Sequence, residues 1–382
     1  MTAGMGPSAP RRRRLAWLSL GGLAGVVLTA LAAVCFTSGC SSLGYYSQSV
    51  GGHLAMLSSA RPLPEWLADP DTPAPLRERL LLAGRLRDYA VSELKLPDNA
   101  SYRRYADLHR PFVVWNVIAA PEFSMTPIQA CFPIAGCVSY RGWYSEADAN
   151  QDATRRSAEG NDVFVGGVPA YSTLGWFDDP LLNTFIRYPD AEVARLIFHE
   201  LAHQMVYVSG DSSFNESFAV SVEEEGVRRW LDSHASREER ERYAAFNARR
   251  EQFTALIGLY RDKLKAYYEG SEGVAVAERR AGKARVFAEL EDDYDRLKGT
   301  WGGIADYDRF MGRPSPQTPA AARKPNNALL ASVVTYSEWL PAFRALLTQQ
   351  KGDLPAFYKA VKELSKLPRP EREKRLKELS GS

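Results

Sequence analysis

Residues 188–210, YPDAEVARLIFHELAHQMVYVSG, constrain the fold of this chain more than any other stretch. Ala194, Ile197, Phe198, Leu201, Ala202 and Met205 recur at helical spacing around most of the circumference, so the segment reads as a buried helix. Pro189 and Asp190 suit its start, acidic residues its first turn and Gly210 its end. A buried helix must find partners for its polar groups, yet this one carries His199, Glu200 and His203. The histidines are four residues apart, about 40° around the helix, so both imidazoles reach the same point. Neutral imidazoles in that arrangement suit one zinc ion. Glu200, about 100° away, can take a proton from a water without ligating the metal. H-E-x-x-H arises by chance in roughly 0.4% of chains of this composition. The motif is therefore predicted to be a metal site with its own base.

A third ligand is required, and the sequence offers two. Between His203 and Glu216 lie 12 residues, enough to end one helix, turn and begin another that returns Glu216 to the histidines. The plain alternative for Glu216 is a capping box, because SFNE matches S-x-x-E. Glu223, seven residues on and on nearly the same face, is the rival ligand, or the residue that orients a ligand histidine. Glu224 and Glu225 are expected to face solvent. A developing oxyanion needs a donor, for which Tyr171, Tyr207 and Tyr336 are the candidates; Tyr207 lies four residues past His203. A packed ring with a satisfied hydroxyl is the commoner outcome for such tyrosines. His53, His109 and His234 lack a partner at ligand spacing and read as structural or exposed.

The first forty residues stand apart from this core. Arg11 to Arg14 precede LAWLSLGGLAGVVLTALAAVCF, a run of 22 residues without a charge. A basic start followed by an apolar run and small residues makes an export signal; an uncleaved anchor is the alternative, because that length can span a bilayer. TSGCSS, around Cys40, resembles the lipobox of bacterial lipoproteins. That resemblance implies cleavage after residue 39 and a lipid on the Cys40 thiol. Either way the body is expected in the cell envelope, facing the periplasm. Ser41, where an aspartate would favour the inner membrane, points to the outer one. Without residues 1–39 the chain has 44 basic and 46 acidic residues, a near-neutral body with no electrostatic case for nucleic acid. Of the four cysteines, Cys131 and Cys137 in CFPIAGC remain as a close pair, predicted to form a disulfide rather than a metal site.

The rest of the chain divides by texture. Residues 1–39 form the signal, and residues 40–382 one domain. Within it, 40–110 read as N-terminal helices, with Pro73 and Pro75 opening the second. Residues 111–185 read as a small β region, in which Gly166 and Gly167 invite a bulge or a close backbone approach. Gly166, Gly167, Val168, Pro169, Ala170 and Tyr171 form an edge that could pair with an extended substrate. Residues 186–311 carry the active-site and long helices, 312–325 are a loop, and 326–382 are C-terminal helices. The fold expected is α+β, predominantly helical, with a small sheet before the active-site helix.

FHELAHQMVYVSGD, FNESFA and EGVRRWL, with VFVGGVPAYSTLGWFDDPLL and CFPIAGCVSYRGWY upstream, resemble the predicted aminopeptidases of bacterial lipoprotein type. The resemblance runs from YYSQSVGGHLAML to NNALLASVVTY. It implies a zincin-like core, a gluzincin-like ligand set of H-E-x-x-H plus a downstream glutamate, one Zn²⁺ and a peptide substrate. The spacing to Glu216 is shorter than in familiar gluzincin aminopeptidases, and a GAMEN-like motif that recognises the substrate amine is missing. An endopeptidase, or an amidase acting on cell-wall peptides, is therefore a second expectation. A non-catalytic zinc-binding envelope lipoprotein is a third.

Overall fold

The computed structural model describes residues 44–132, 136–170, 173–314, 324–334 and 338–381. Residues 1–39, expected to form a signal, together with Cys40, Tyr171 and Tyr336, lie outside the described residues. The chain forms two units, Met1–His53 and Leu54–Ser382. Residues 44–53 of the first are helical; everything below concerns the second. Among the described residues no helix is long and apolar enough to cross a membrane.

The second unit is predominantly helical with small sheets, an α+β arrangement. Helices α1 (Leu63–Ala68) and α2 (Ala74–Ser92) open it, the latter just after Pro73 as the sequence predicts. The strand β2 (Arg104–Ala106) lies between β1 (Arg61–Pro62), to which it is antiparallel, and β8 (Leu181–Leu182), to which it is parallel, so the N-terminal region is not wholly helical. A second sheet has the order β6-β3-β7, formed by β6 (Arg141–Trp143), β3 (Val114–Pro121) and β7 (Asn161–Val168). Two-residue alternation along β3 sends Trp115, Val117 and Ala119 to one face and Ile118 and Ala120 to the other. The first face packs on Ala149 and Ala153 of α3 (Glu146–Ala158), a helix absent from the sequence reading of this β region. The second packs on Ala328 of α8 (Asn327–Val334).

β7 is an edge strand, as expected, but it has no bulge. Its ladder to β3 is continuous from Val114↔Val168 to Pro121↔Asn161. Gly167 is needed for a different reason: a Cβ there would lie 2.2 Å from the Phe112 ring. The strand also stops at Val168, short of the predicted Tyr171. Pro169 has no N–H to continue a ladder, its carbonyl accepts from the Thr184 hydroxyl, and Ala170 is buried in the main core.

Helix α4 (Asp190–His203) begins where predicted and is buried at eleven positions, which makes it the central helix of the core. It ends earlier than predicted, at His203 rather than near Gly210. The amides of Gln204 and Met205 close tight last-turn bonds to Leu201 and Ala202, and the β-branched run that follows is held open by a side chain. The Asn215 amide donates to the Val208 carbonyl and accepts from the Val208 N–H, both at 2.8 Å. Gly210, with φ +79°, serves this turn rather than the helix end. The chain then returns as α5 (Ser212–His234), antiparallel to α4. Gly226 permits the close packing: a Cβ there would meet Phe198 at 2.8 Å and Leu94 at 2.7 Å.

Two long helices, α6 (Arg237–Gly270) and α7 (Val276–Thr300), form an arm with its own core of Phe253, Ile257 and Leu264 against Val286, Leu290 and Tyr294. The helices α9 (Leu340–Gln349), α10 (Leu354–Ser365) and α11 (Arg369–Ser380) complete the main core, with Phe343 against Phe214 and Phe218 of α5. Cys131 and Cys137 are bonded and close a hairpin of β4 (Ala130–Phe132) and β5 (Gly136–Val138).

Candidate metal centre

One turn of α4 separates His199 from His203, and α5 brings Glu216 alongside both. His199 Nε2 lies 3.1 Å from His203 Nε2 and 3.3 Å from Glu216 Oε2, and His203 Nε2 lies 3.7 Å from Glu216 Oε2. The three make the single group of ligand-type side chains among the described residues that could hold a metal ion. Glu216 is not part of a capping box. The N-cap of α5 is Asp211, whose carboxylate accepts from the Phe214 N–H, so Glu216 is free for the cluster.

Both histidines are buried, with 7% and 8% of their surface exposed. Burial works against a charge on His199, but Glu216 and Glu223 outweigh it and push the imidazole up to about 10. Burial also works against the Glu216 carboxylate, and the two histidines reverse it, holding the group well below the usual range. An anionic carboxylate between two imidazoles is an arrangement that demands a cation at its centre, either a proton or a metal. The donor set fits zinc: bonds of about 2.0–2.1 Å in a tetrahedron put neighbouring ligand atoms about 3.3 Å apart.

Glu223 takes the other side of His199. Its Oε2 lies 2.8 Å from Nδ1 and accepts a hydrogen bond from it, so that in the neutral ring a metal requires, the Nε2 lone pair would face His203 and Glu216. Of the two glutamates weighed as ligands, the structure thus brings Glu216 to the converging atoms and Glu223 to the back of the ring. Arg195 Nη1 lies 3.4 Å from Glu223, and Arg250 Nη1 of α6 lies 3.7 Å from it. Burial raises the Glu223 carboxyl, but these cations and His199 lower it further, so it stays ionised. His203 is held differently: its Nδ1 is buried without a hydrogen-bond partner among the described residues.

Glu200 is also buried and stands outside the three converging atoms. Burial holds its carboxyl above the ordinary range against the lowering influence of His199 and His203. Tyr207 is not on the helix, so its four-residue spacing from His203 does not place it. It is half-buried, and burial together with the Glu216 charge pushes its hydroxyl up, which puts it within electrostatic reach of the cluster. His109 is exposed and His234 stacks on Trp230, in keeping with structural roles.

The turn from 204 to 211, which joins the histidines to Glu216, is fixed from three sides. Gln204 accepts from Asn99 at 2.7 Å and donates to Ser101. Gly136 of the disulfide hairpin sits so close that a Cβ would lie 2.5 Å from Ser209 Oγ and 2.7 Å from Gly210 N. Arg372 of α11 donates twice to Asp211, at 2.6 and 3.1 Å, with both side chains about 95% buried. Sequence reading missed Arg195, Asp211, Asn215, Arg250 and Arg372. Arg195, one turn before His199, could have been found from that spacing; Arg372, far along the chain, could not.

No curated protein and no solved structure matches the chain. The family model described as putative aminopeptidase matches residues 44–376, and the chain belongs to that family.

Proposed function

We propose that the chain is a zinc-dependent peptidase with a zincin-like core, lipid-anchored in the cell envelope and facing the periplasm. The convergence of His199 Nε2, His203 Nε2 and Glu216 Oε2, with buried Glu200 next in sequence to His199, carries this reading. Membership of the aminopeptidase family supports peptide hydrolysis, and the apolar run before Cys40 supports the anchor.

When bound, zinc supplies Lewis-acid polarisation of a carbonyl and a water acidic enough to react near neutral pH. Glu200 takes the proton from the attacking water and passes it to the leaving amine; its raised carboxyl suits both transfers. Glu223 fixes the tautomer and orientation of His199. Tyr207 is assigned as the donor to the developing oxyanion. The edge of β7 offers a place for extended substrate. Asn326 Nδ2 binds the Val163 carbonyl away from β3, and alternation turns the backbone of Val165 and Gly167 to the same edge.

Metal content and peptide hydrolysis test the proposal together. Wild type should bind one zinc and cleave peptides with free N-termini faster than blocked ones. Equal cleavage of both would make it an endopeptidase. Glu200→Gln should retain zinc and fold while hydrolysis falls about 10²–10⁴-fold; full activity in that variant would overturn the assignment.

A further inference from the structure

Two surface features meet at Gln204, the residue just past the second histidine, and neither is used by the chemistry above. The first is the turn at residues 173–179. Trp176 is 70% exposed and Phe177 49% exposed. This turn is built rather than loose. The Thr173 N–H donates to the buried Asp179 carboxylate at 2.9 Å, the Phe177 N–H donates to Thr173 Oγ1, and the Tyr102 N–H donates to the Asp179 carbonyl. Leu174 and Gly175 both adopt left-handed backbone, and a Cβ on Gly175 would lie 3.5 Å from the Gln204 side chain. A fixed turn that leaves Trp176 largely exposed, with the half-exposed Phe177 beside it, is a feature of surfaces that meet an apolar or interfacial partner.

The second is a groove of about 500 Å³ whose apolar lining includes Met205, Pro355 and Tyr358. Lys359, Lys362 and Lys366, three and four residues apart along α10 and at its end, line it, as does Lys95. Lys95 has φ +57°, a left-handed conformation that favours glycine, so a lysine is held there against backbone preference. Glu363 is the acidic residue of the lining and is paired with Lys366. Gln204 joins the two features: its side chain binds Asn99, four residues after Lys95, and Met205 follows it.

We propose that this face docks on an anionic phospholipid surface, with the Trp176–Phe177 turn at the headgroup boundary and the lysines over phosphate groups. Aromatic rings favour that boundary, and lysine stems cover apolar surface while their ammonium groups reach anionic headgroups. Exposed Asp178 and the paired Glu363 leave the face with net positive charge. The proposal rests on the membrane-anchor reading only for access to a bilayer. Docking would lay the end of α4, and with it the metal centre, beside the membrane.

The test uses the full chain with vesicles of brominated phosphatidylcholine, with and without phosphatidylglycerol, and reads flotation and tryptophan quenching. Flotation on both compositions is expected, with additional quenching where phosphatidylglycerol is present. That increment should be lost in Trp176→Phe and in the Lys359→Glu, Lys362→Glu, Lys366→Glu triple variant, and should fall with salt. An increment unchanged in both variants, or none in wild type, overturns the proposal. Binding of an acidic peptide that the triple variant abolishes, without any lipid increment, reassigns the face to a protein partner and also overturns it. Failure to float on neutral vesicles while the increment persists removes the anchor and supports the docking face.

Discussion

On the proposed zinc assignment, replacing Glu223 separates a residue that would orient a ligand from Glu216, which would be one. Its carboxylate holds His199 Nδ1–H at 2.8 Å and is itself 1% exposed, between Arg195 and Arg250. Removing such a partner typically weakens metal binding 10–100-fold, or about 1.4–2.7 kcal/mol. Glu223→Gln keeps an acceptor oxygen of the same shape, so it should sit near the lower figure, and Glu223→Ala near the upper one. The alanine variant should also unfold more easily, because Arg195 keeps Glu192 at 2.8 Å but Arg250 loses its buried counter-charge. Glu216→Ala removes a ligand outright and should lose far more affinity than either. Competition with a chromophoric zinc chelator measures all three, with circular dichroism to check the fold. If Glu223→Ala abolishes zinc binding while Glu216→Ala retains it, the roles are reversed and the geometric reasoning fails. Unchanged affinity in both Glu223 variants would refute its orienting role.

On the zinc assignment, metal and protons would compete for the same imidazole, with a defined sign. His199 is raised to about 10 in the metal-free protein, so its stabilising charge is fully present below pH 6.5 and is lost as pH rises toward 10. Zinc needs the neutral ring, so the melting-temperature gap between zinc-loaded and chelated protein should widen from pH 6.5 to 9, and a constant gap contradicts this. Gly226→Ala should cost about 1–3 kcal/mol in denaturant unfolding, because the added methyl meets Phe198 and Leu94. Replacing Cys131 and Cys137 by serine removes about 2 kcal/mol of chain constraint. Because the hairpin abuts Ser209 and Gly210, zinc release should also be faster; an unchanged release rate would detach the hairpin from the site.

The parts of the site written in local sequence were legible. Helix α4 declares itself through apolar spacing, and its start through Pro189 and Asp190. Glu216 was reachable because the number of residues after His203 matches a turn and a returning helix. The end of α4 was misread because Gly210 looks like a helix stop, while the real stop is set by Asn215 from the next helix. Gly166 and Gly167 carry the same ambiguity: glycine in a strand signals close approach, but only the fold shows that the approaching group is Phe112. Helix α3 is short and polar on its outer face, so its apolar signal reduces to Ala149 and Ala153. Arg250 and Arg372 reach the site from remote helices, and no local pattern records that.

The Arg372–Asp211 pair has a consequence for how the protein matures. The three residues of the candidate metal centre are all in place by position 216, but the turn joining them is anchored by a side chain 161 residues after Asp211. A chain still being synthesised therefore carries both histidines and the glutamate long before it can hold them in register. Competence arrives with the last helix, so a truncation before Arg372 removes no ligand yet leaves the buried Asp211 unpaired and the centre unsupported. If the proposed hydrolytic chemistry holds, a site assembled in this order would be silent for most of the time its own polypeptide is unfolded and cleavable.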